Sequence, residues 1–269
     1  MKARESVVGA LGDYFSSKSH AQGSPIVNAH YPIFAENVDH ADIARFECAN
    51  GLALFANTVP TTFWAIFHIF SDPGLLKEIR SQIASITDTE VSADQEIILH
   101  KINTRKLKEA TMLFSLIEEV CRHRATGATA YSVIKDTSVR DGADTYLLKE
   151  GGVVIIANKA IHTDKRVWGK DVDTFVPNRF EKKTPSHASL GFGRGANACC
   201  GKNFALYHIA SFIGIVAMRY DINPLEAAWS EPGQDARDSV AQVAPPNRRP
   251  RVKFTSREDS NRVSWTFDH

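Results

Sequence analysis

Hydrophobic and polar positions along the chain fall into stretches with different periods. From His40 to Phe70 a continuous, largely apolar run follows Asp39 or Asp42, either of which could cap it, and stops at Ser71-Asp72-Pro73. That pattern predicts one very long helix, apolar nearly all round and therefore buried on most faces inside a large helical domain. After Asp72-Pro73, Leu75, Leu76, Ile79 and Ile83 recur at helical spacing and then give way to a polar loop over Thr87 to Gln95. A third helix, within 104–124, carries Met112, Leu113, Leu116, Ile117 and Val120 on one side of Leu107 to His123. The period then changes. Val133 to Val139 and Tyr146 to Ala157 are rich in β-branched residues and are broken by Asp141-Gly142 and Gly151-Gly152, which predicts short strands and a hairpin within 130–160. A loop follows from His162 to Ala198, then a helix from Gly201 to Arg219. Pro245 to Phe254 reads as a proline-broken turn into an edge strand, with a polar tail after Thr255. Residues 1–40 have turn signals at Gly12, Gly23-Ser24-Pro25 and Tyr31-Pro32 but no clear period, and read as the end of preceding helices. The expected class is mainly α with small β-sheets.

Composition narrows the function classes. A chain of 269 residues, 43% hydrophobic and 23% charged, can build one large core or two ordinary ones. Lys plus Arg at 32 against Asp plus Glu at 31 leaves a formal charge of +1, so no global field recruits nucleic acid or a membrane surface. Four cysteines are too few for a secreted disulfide framework of this length, which favours a reducing compartment. No apolar leader precedes Gly51, so the chain by itself is expected to carry no signal or anchor and to be cytoplasmic. Leu52 to Phe70 is the strongest membrane candidate, but Asn57, Thr58, Pro60, Thr61, Thr62 and His68 suit a buried helix lining a cavity better than a lipid-facing one.

The chemistry concentrates in Gly191-Phe192-Gly193-Arg194-Gly195-Ala196-Asn197-Ala198-Cys199-Cys200-Gly201. A glycine-rich turn lets backbone approach a flat ligand, and a thiol just before a helix N-terminus is favoured as the anion that binds metals. Taken alone, the segment also fits a buried cysteine pair or a strained vicinal disulfide. It resembles the cysteine loop of the cytochrome P-450 superfamily, Phe-x-x-Gly-x-[Arg/His]-x-Cys-x-Gly. Phe192, Gly195, Cys199 and Gly201 take its fixed positions, and Phe204-Ala205 its usual continuation. The resemblance implies that Cys199 is the axial thiolate of haem iron, with Phe192, Gly193, Gly195, Gly201 and Ala205 against the cofactor. Asn197 departs from the basic residue that usually meets a haem propionate.

Further matches fall in the family's order. Glu119-Val120-Cys121-Arg122 is similar to Glu-x-x-Arg of the K helix, 80 positions before Cys199, and Pro177-Asn178-Arg179-Phe180 resembles Pro-Glu-Arg-Phe. The resemblance implies that Glu119, Arg122 and Arg179 close a buried structural network. Ala56-Asn57-Thr58-Val59-Pro60-Thr61-Thr62-Phe63-Trp64 lies where the oxygen-binding helix, assigned to 41–70, usually carries an acid and an alcohol. Val59 and Pro60 take their places, as in the branch with cholesterol 7-alpha-hydroxylase and prostacyclin synthase. Asn57, Thr58 and Thr61 are the catalytic candidates there, against an equal reading as helix-interior side chains bonding the preceding turn. Tyr131 stands where that branch tends to place a propionate-binding arginine.

The resemblance covers only the haem-binding, C-terminal half of the family's length. It implies a haem-thiolate monooxygenase that hydroxylates a lipophilic molecule, such as a sterol, terpenoid or other secondary metabolite, with dioxygen and electrons from NADPH-cytochrome P-450 reductase. Lys182, Lys183, Arg194 and Lys202 are candidates for the basic face meeting that reductase, or a solvated charged face. A full-length relative would sit at the endoplasmic reticulum membrane, its anchor outside this chain. Two alternatives are a peroxide isomerase that needs no reductase and a truncated, inert fragment. His40, His68, His100, His123 and His162 show no metal-binding spacing and read as surface or satisfied core histidines. Gly-x-Gly-x-x-Gly after a strand and Gly-x-Ser-x-Gly are both absent, which argues against dinucleotide binding and hydrolase chemistry.

Overall fold

The computed structural model describes residues 2–93, 97–182, 186–195, 198–235, 242–257 and 262–268, apart from the side chains of 40, 41 and 186. It divides into two compact units, Met1–Asn57 and Thr58–His269. The first consists of α1 (Lys2–Ser16), α2 (Pro25–Asn37) and α3 (His40–Ala56), with a 3-10 turn at Ser19–Gln22. Its small core gathers Phe15, Ile43 and Ala44, with Phe15 and His20 both stacked on Tyr31.

The second unit holds α4 (Thr58–Ser71), α5 (Pro73–Ser85), α6 (Thr111–His123), the short α7 (Asn158–His162) and α8 (Lys165–Trp168), and α9 (Lys202–Arg219). Trp64, Ile79, Ile83, Leu113, Leu116, Ile117 and Ile213 are fully buried where α4, α5, α6 and α9 pack. Each such side chain contributes about 1.5 to 3 kcal/mol through burial. Asp72 starts α5 by accepting the Gly74 and Leu75 amides at 2.8 and 3.1 Å, with Pro73 in the first turn.

Nine strands are described: β1 (Thr87–Val91), β2 (Ile98–Asn103), β3 (Ala128–Ser132), β4 (Thr137–Asp141), β5 (Asp144–Leu148), β6 (Val153–Ala157), β7 (Tyr220–Pro224), β8 (Val252–Ser256) and β9 (Val263–Asp268). They form one three-stranded sheet, ordered β1-β2-β9, and the pairs β3-β6, β4-β5 and β7-β8. The β4-β5 hairpin turns through Gly142, whose φ of 59° suits glycine. The class is thus mainly helical with small sheets.

Five sequence expectations change. The single helix across 41–70 is interrupted at Asn57, because Pro60 has no N–H for the carbonyl four residues back. Only α4 has the burial foreseen for the whole run; in α3, Leu52 and Phe55 are 57% and 62% exposed. The stretch Asp42–Ser71 is long and apolar enough to cross a membrane by length and composition, yet in α4 Trp64, Ala65 and Ile69 are buried in the core. Second, the helix placed within 104–124 begins as a 3-10 segment, Thr104–Glu109, and Ala110 (ψ 64°) separates it from α6. Third, the expected polar loop at Thr87–Gln95 holds β1. Its polar sequence gave no apolar alternation, and cross-strand pairs such as Lys101–Glu90 and Thr89–His100 support it instead. Fourth, the polar tail returns as β9, parallel to β2, with Val263, Trp265 and Phe267 on its more buried face. The expected loop from His162 to Ala198 also contains α8, capped by Asp164 accepting the Arg166 amide at 2.9 Å.

Candidate functional site

A buried charge cluster at the end of α6 anchors the site. Glu119 is inaccessible to solvent, and its carboxylate accepts both Nε and Nη2 of Arg122, at 2.7 and 2.8 Å, the Val176 amide at 3.0 Å and Nε of Arg179 at 3.1 Å. Arg122 uses its remaining donors on the carbonyls of His162 (2.8 Å), Val172 (3.0 Å) and Thr174 (3.4 Å). Arg179 also binds the Asp171 carboxylate and the carbonyls of Trp168, Asp171 and Thr174. That hydrogen bonding from Arg179 holds the Asp171 carboxyl below its ordinary range. The structure therefore brings Glu119, Arg122 and Arg179 together and fastens the 162–179 segment to α6. Bidentate guanidinium–carboxylate bonds are among the strongest polar contacts a fold can make, and nearly every donor here has an acceptor.

The cysteine loop is held differently. Leu190 accepts the Gly193 amide at 3.0 Å, Gly195 accepts Ala198 at 3.1 Å, and Phe192 accepts the Cys199 amide at 2.8 Å. Gly193 and Gly195 have φ of 67° and 68°, the left-handed region where a side chain would be strained. Gly201 caps α9, and its carbonyl accepts the Ala205 amide at 2.8 Å. Cys199 and Cys200 are both free thiols and both exposed, so no vicinal disulfide forms. Lys202 donates to Glu118 at 2.9 Å and lies over the Phe192 ring, 5.4 Å from its centroid. Of the basic candidates, Lys202 is thus paired with an acid, Lys182 and Arg194 are exposed, and Lys183 lies outside the described residues. Asn197 lies outside them too. Tyr131 is on β3, opposite Val154 of β6.

The candidates from the oxygen-binding segment are not equivalent. Asn57 closes α3 with φ −104° and ψ −36°. Thr58 begins α4, is half-buried, and accepts the Thr62 hydroxyl at 2.8 Å through its carbonyl. Thr61 is 2% exposed and hydrogen-bonds the Cys121 thiol on α6. Burial, and the Glu118 carboxylate next, push that thiol up to about 12, so Cys121 stays neutral.

Two residues to which sequence reasoning gave no role at the site now matter. His162 is 1% exposed, and its Nε2 accepts the Leu190 amide at 2.9 Å, while burial, and then Arg122, lower its pKa to about 4. Gly191 packs so closely on Cys121 that an added Cβ would stand 2.8 Å from the Cys121 Cβ. Neither had a signal: a lone histidine in a loop and a glycine one residue before the motif look ordinary.

A metal at Cys199 would have to bring most of its own donors. Among the described residues no group of three or more His, Cys, Asp or Glu could hold an ion. One soft thiolate on a glycine loop fits iron already held in a macrocycle.

Comparisons with known proteins point to one family. The family described as Cytochrome P-450 matches residues 51–248. The chain is 26% identical to cytochrome P-450 monooxygenase nodJ of Hypoxylon pulicicidum, over 98% of this chain and 53% of that protein. It is 27% identical to a bifunctional cytochrome P-450/NADPH–P-450 reductase of Bacillus cereus, over 74% of this chain and 18% of that protein. Against cytochrome P-450 7A1 of Oryctolagus cuniculus it is 22% identical, over 71% and 41% respectively. The chain spans about half the length, or less, of these curated relatives.

Proposed function

Because the chain belongs to the cytochrome P-450 family, we propose that it forms the haem-binding part of a haem-thiolate monooxygenase that hydroxylates a lipophilic small molecule, with Cys199 as the iron's ligand. One observation carries the reading: the Cys199 thiol is exposed at the head of an 18-residue helix, on a loop whose bends only glycine adopts without strain. Phe192, Gly193 and Gly195 would lie along the macrocycle, and Gly201 and Ala205 would keep the first turn of α9 slim beside the sulfur. Haem held by a thiolate supplies dioxygen activation for insertion into a C–H bond. Glu119, Arg122 and Arg179 fix the segment that leads into the loop. For electrons we propose NADPH-cytochrome P-450 reductase, the activity that the Bacillus cereus relative's name joins to its own P-450. Exposed Lys182 and Arg194 are the candidate contacts. The substrate is proposed from the family as a sterol, terpenoid or other secondary metabolite.

Reconstitution with haem tests the ligand. In reduced carbon-monoxide difference spectra, wild type and Cys200→Ser should show the red-shifted Soret band of thiolate ligation, and Cys199→Ser should lack it. Persistence of the band in Cys199→Ser would overturn the assignment. A second reading, rearrangement of a substrate peroxide, is favoured by Val59 and Pro60 in place of an acid and an alcohol. It predicts turnover with no NADPH consumption when reductase is supplied; consumption coupled to product supports the monooxygenase.

A further inference from the structure

Between the buried charge cluster and the cysteine loop stands one imidazole. The main chain of His162 accepts Arg122 at 2.8 Å, while its ring accepts the Leu190 amide at 2.9 Å. Leu190 opens the turn that closes on Gly193, and two residues on, the Phe192 carbonyl holds the Cys199 amide. We propose that His162 is a positioning residue that passes the fixed geometry of the Glu119–Arg122 pair to the turn presenting Cys199. The role rests on Cys199 being the haem ligand.

Three features separate this from a histidine that fills space. The ring stands edge-on to Trp168, 6.2 Å between centroids and 83° between planes, and Trp168 in turn faces the Arg122 guanidinium at 5.3 Å, so the imidazole is wedged against the cluster. An amide donating to Nε2 requires that nitrogen to be bare, which puts the proton on Nδ1. Nδ1 is buried and finds no partner among the described residues, so the orientation that binds Leu190 is kept although it leaves a polar atom unsatisfied. An apolar ring would avoid that cost. A pKa lowered to about 4, by burial and then by Arg122, keeps the ring in this neutral form near neutrality.

The test uses the full chain. Nitrogen-15 histidine labelling of wild type should show His162 protonated at Nδ1 and bare at Nε2, with a coupling across to the Leu190 amide. Amide exchange at Leu190 should quicken about tenfold in His162→Leu, the effect of losing one buried acceptor. His162→Gln, whose side-chain oxygen can stand in for Nε2, should restore it to within about twofold. In haem-loaded samples the thiolate Soret fraction should fall in His162→Leu and recover in His162→Gln, which a merely space-filling residue would not produce. A proton on Nε2 in wild type overturns the proposal, as does a glutamine variant no better than leucine. If His162→Leu does not fold, the wild-type tautomer and the glutamine variant still decide. A wild type without any thiolate band sinks the haem reading and the positioning role with it. An intact band with unchanged exchange in His162→Leu sinks the role alone.

Discussion

The buried cluster around Glu119 and the loop around Cys199 are neighbours joined by one turn, yet they are built on opposite principles. Glu119 is fully buried and accepts four donors, and each of its arginine partners spreads further bonds over the 162–179 segment. Cys199 is exposed, and backbone bonds tie it in: its amide donates to the Phe192 carbonyl at 2.8 Å and its carbonyl accepts the Lys202 amide at 3.3 Å. The difference teaches where geometry is stored. The residue proposed for chemistry contributes almost nothing to holding its own position, and residues that touch no reacting atom hold it.

That contrast breaks first at Glu119. Replacing Glu119 with alanine strands the buried Arg122 guanidinium without a carboxylate among the described residues and leaves Arg179 to Asp171 alone. The expected loss is about 3 to 5 kcal/mol, read as a fall in the urea midpoint, and many preparations should not fold. A loss under about 1 kcal/mol would show that water reaches the cluster and that its hydrogen bonds are not what fixes the loop.

Acid attacks the same region through histidine. His162 is lowered to about 4 by burial and then Arg122; His68 is lowered to about 3 by burial, then Arg124 and His123. Both lie below the unfolded value of about 6.5, so the unfolded chain binds more protons between those limits. Stability is complete above pH 6.5 and falls as pH drops toward 4. At pH 5 each histidine should account for about 2 kcal/mol. Burial lowers His123 as well, so in His162→Gln the gap between the denaturation midpoints at pH 7.5 and 5 should narrow, by less than half. Asp164, held near 2 by hydrogen bonds from Arg166, acts only at much lower pH and leaves this window clear.

The sequence disclosed these two regions unequally, for a physical reason. Cys199, Gly195, Glu119, Arg122 and Arg179 stood out because a fixed spacing ties residue types to one geometry, and α6 and α9 because their burial repeats every three to four residues. β1 stayed hidden because its polar residues show no apolar alternation and it is held by cross-strand polar pairs with its neighbour β2, and β9 because it borrows its stability from β2, a partner strand far along the chain. His162 was hidden because its importance lies in a ring nitrogen meeting an amide 28 residues away, which no local pattern encodes. The long helix was misjudged at one atom, the nitrogen of Pro60.

Two glycines give a finer measure. Gly191→Ala places a methyl 2.8 Å from the Cys121 Cβ, with fixed structure on both sides, and should cost about 1 to 3 kcal/mol. Gly195→Ala meets nothing within 4 Å and is opposed only by its φ of 68°, so about 1 kcal/mol is expected. The ordering checks whether the loop is held by packing against α6 or by its own turns. If Gly195→Ala proves the costlier, the turns dominate and Cys121 is a bystander.

The smallest effect belongs to the residue that matters most to the proposed chemistry. Cys199→Ser changes one exposed atom and touches none of the backbone bonds that hold the loop, so the stability of the haem-free chain should move by less than about 0.5 kcal/mol. Calorimetry of the two haem-free chains makes the comparison. A drop of 2 kcal/mol or more would mean that the sulfur is packed into the fold, and that the division between a rigid anchor and an unencumbered ligand does not hold.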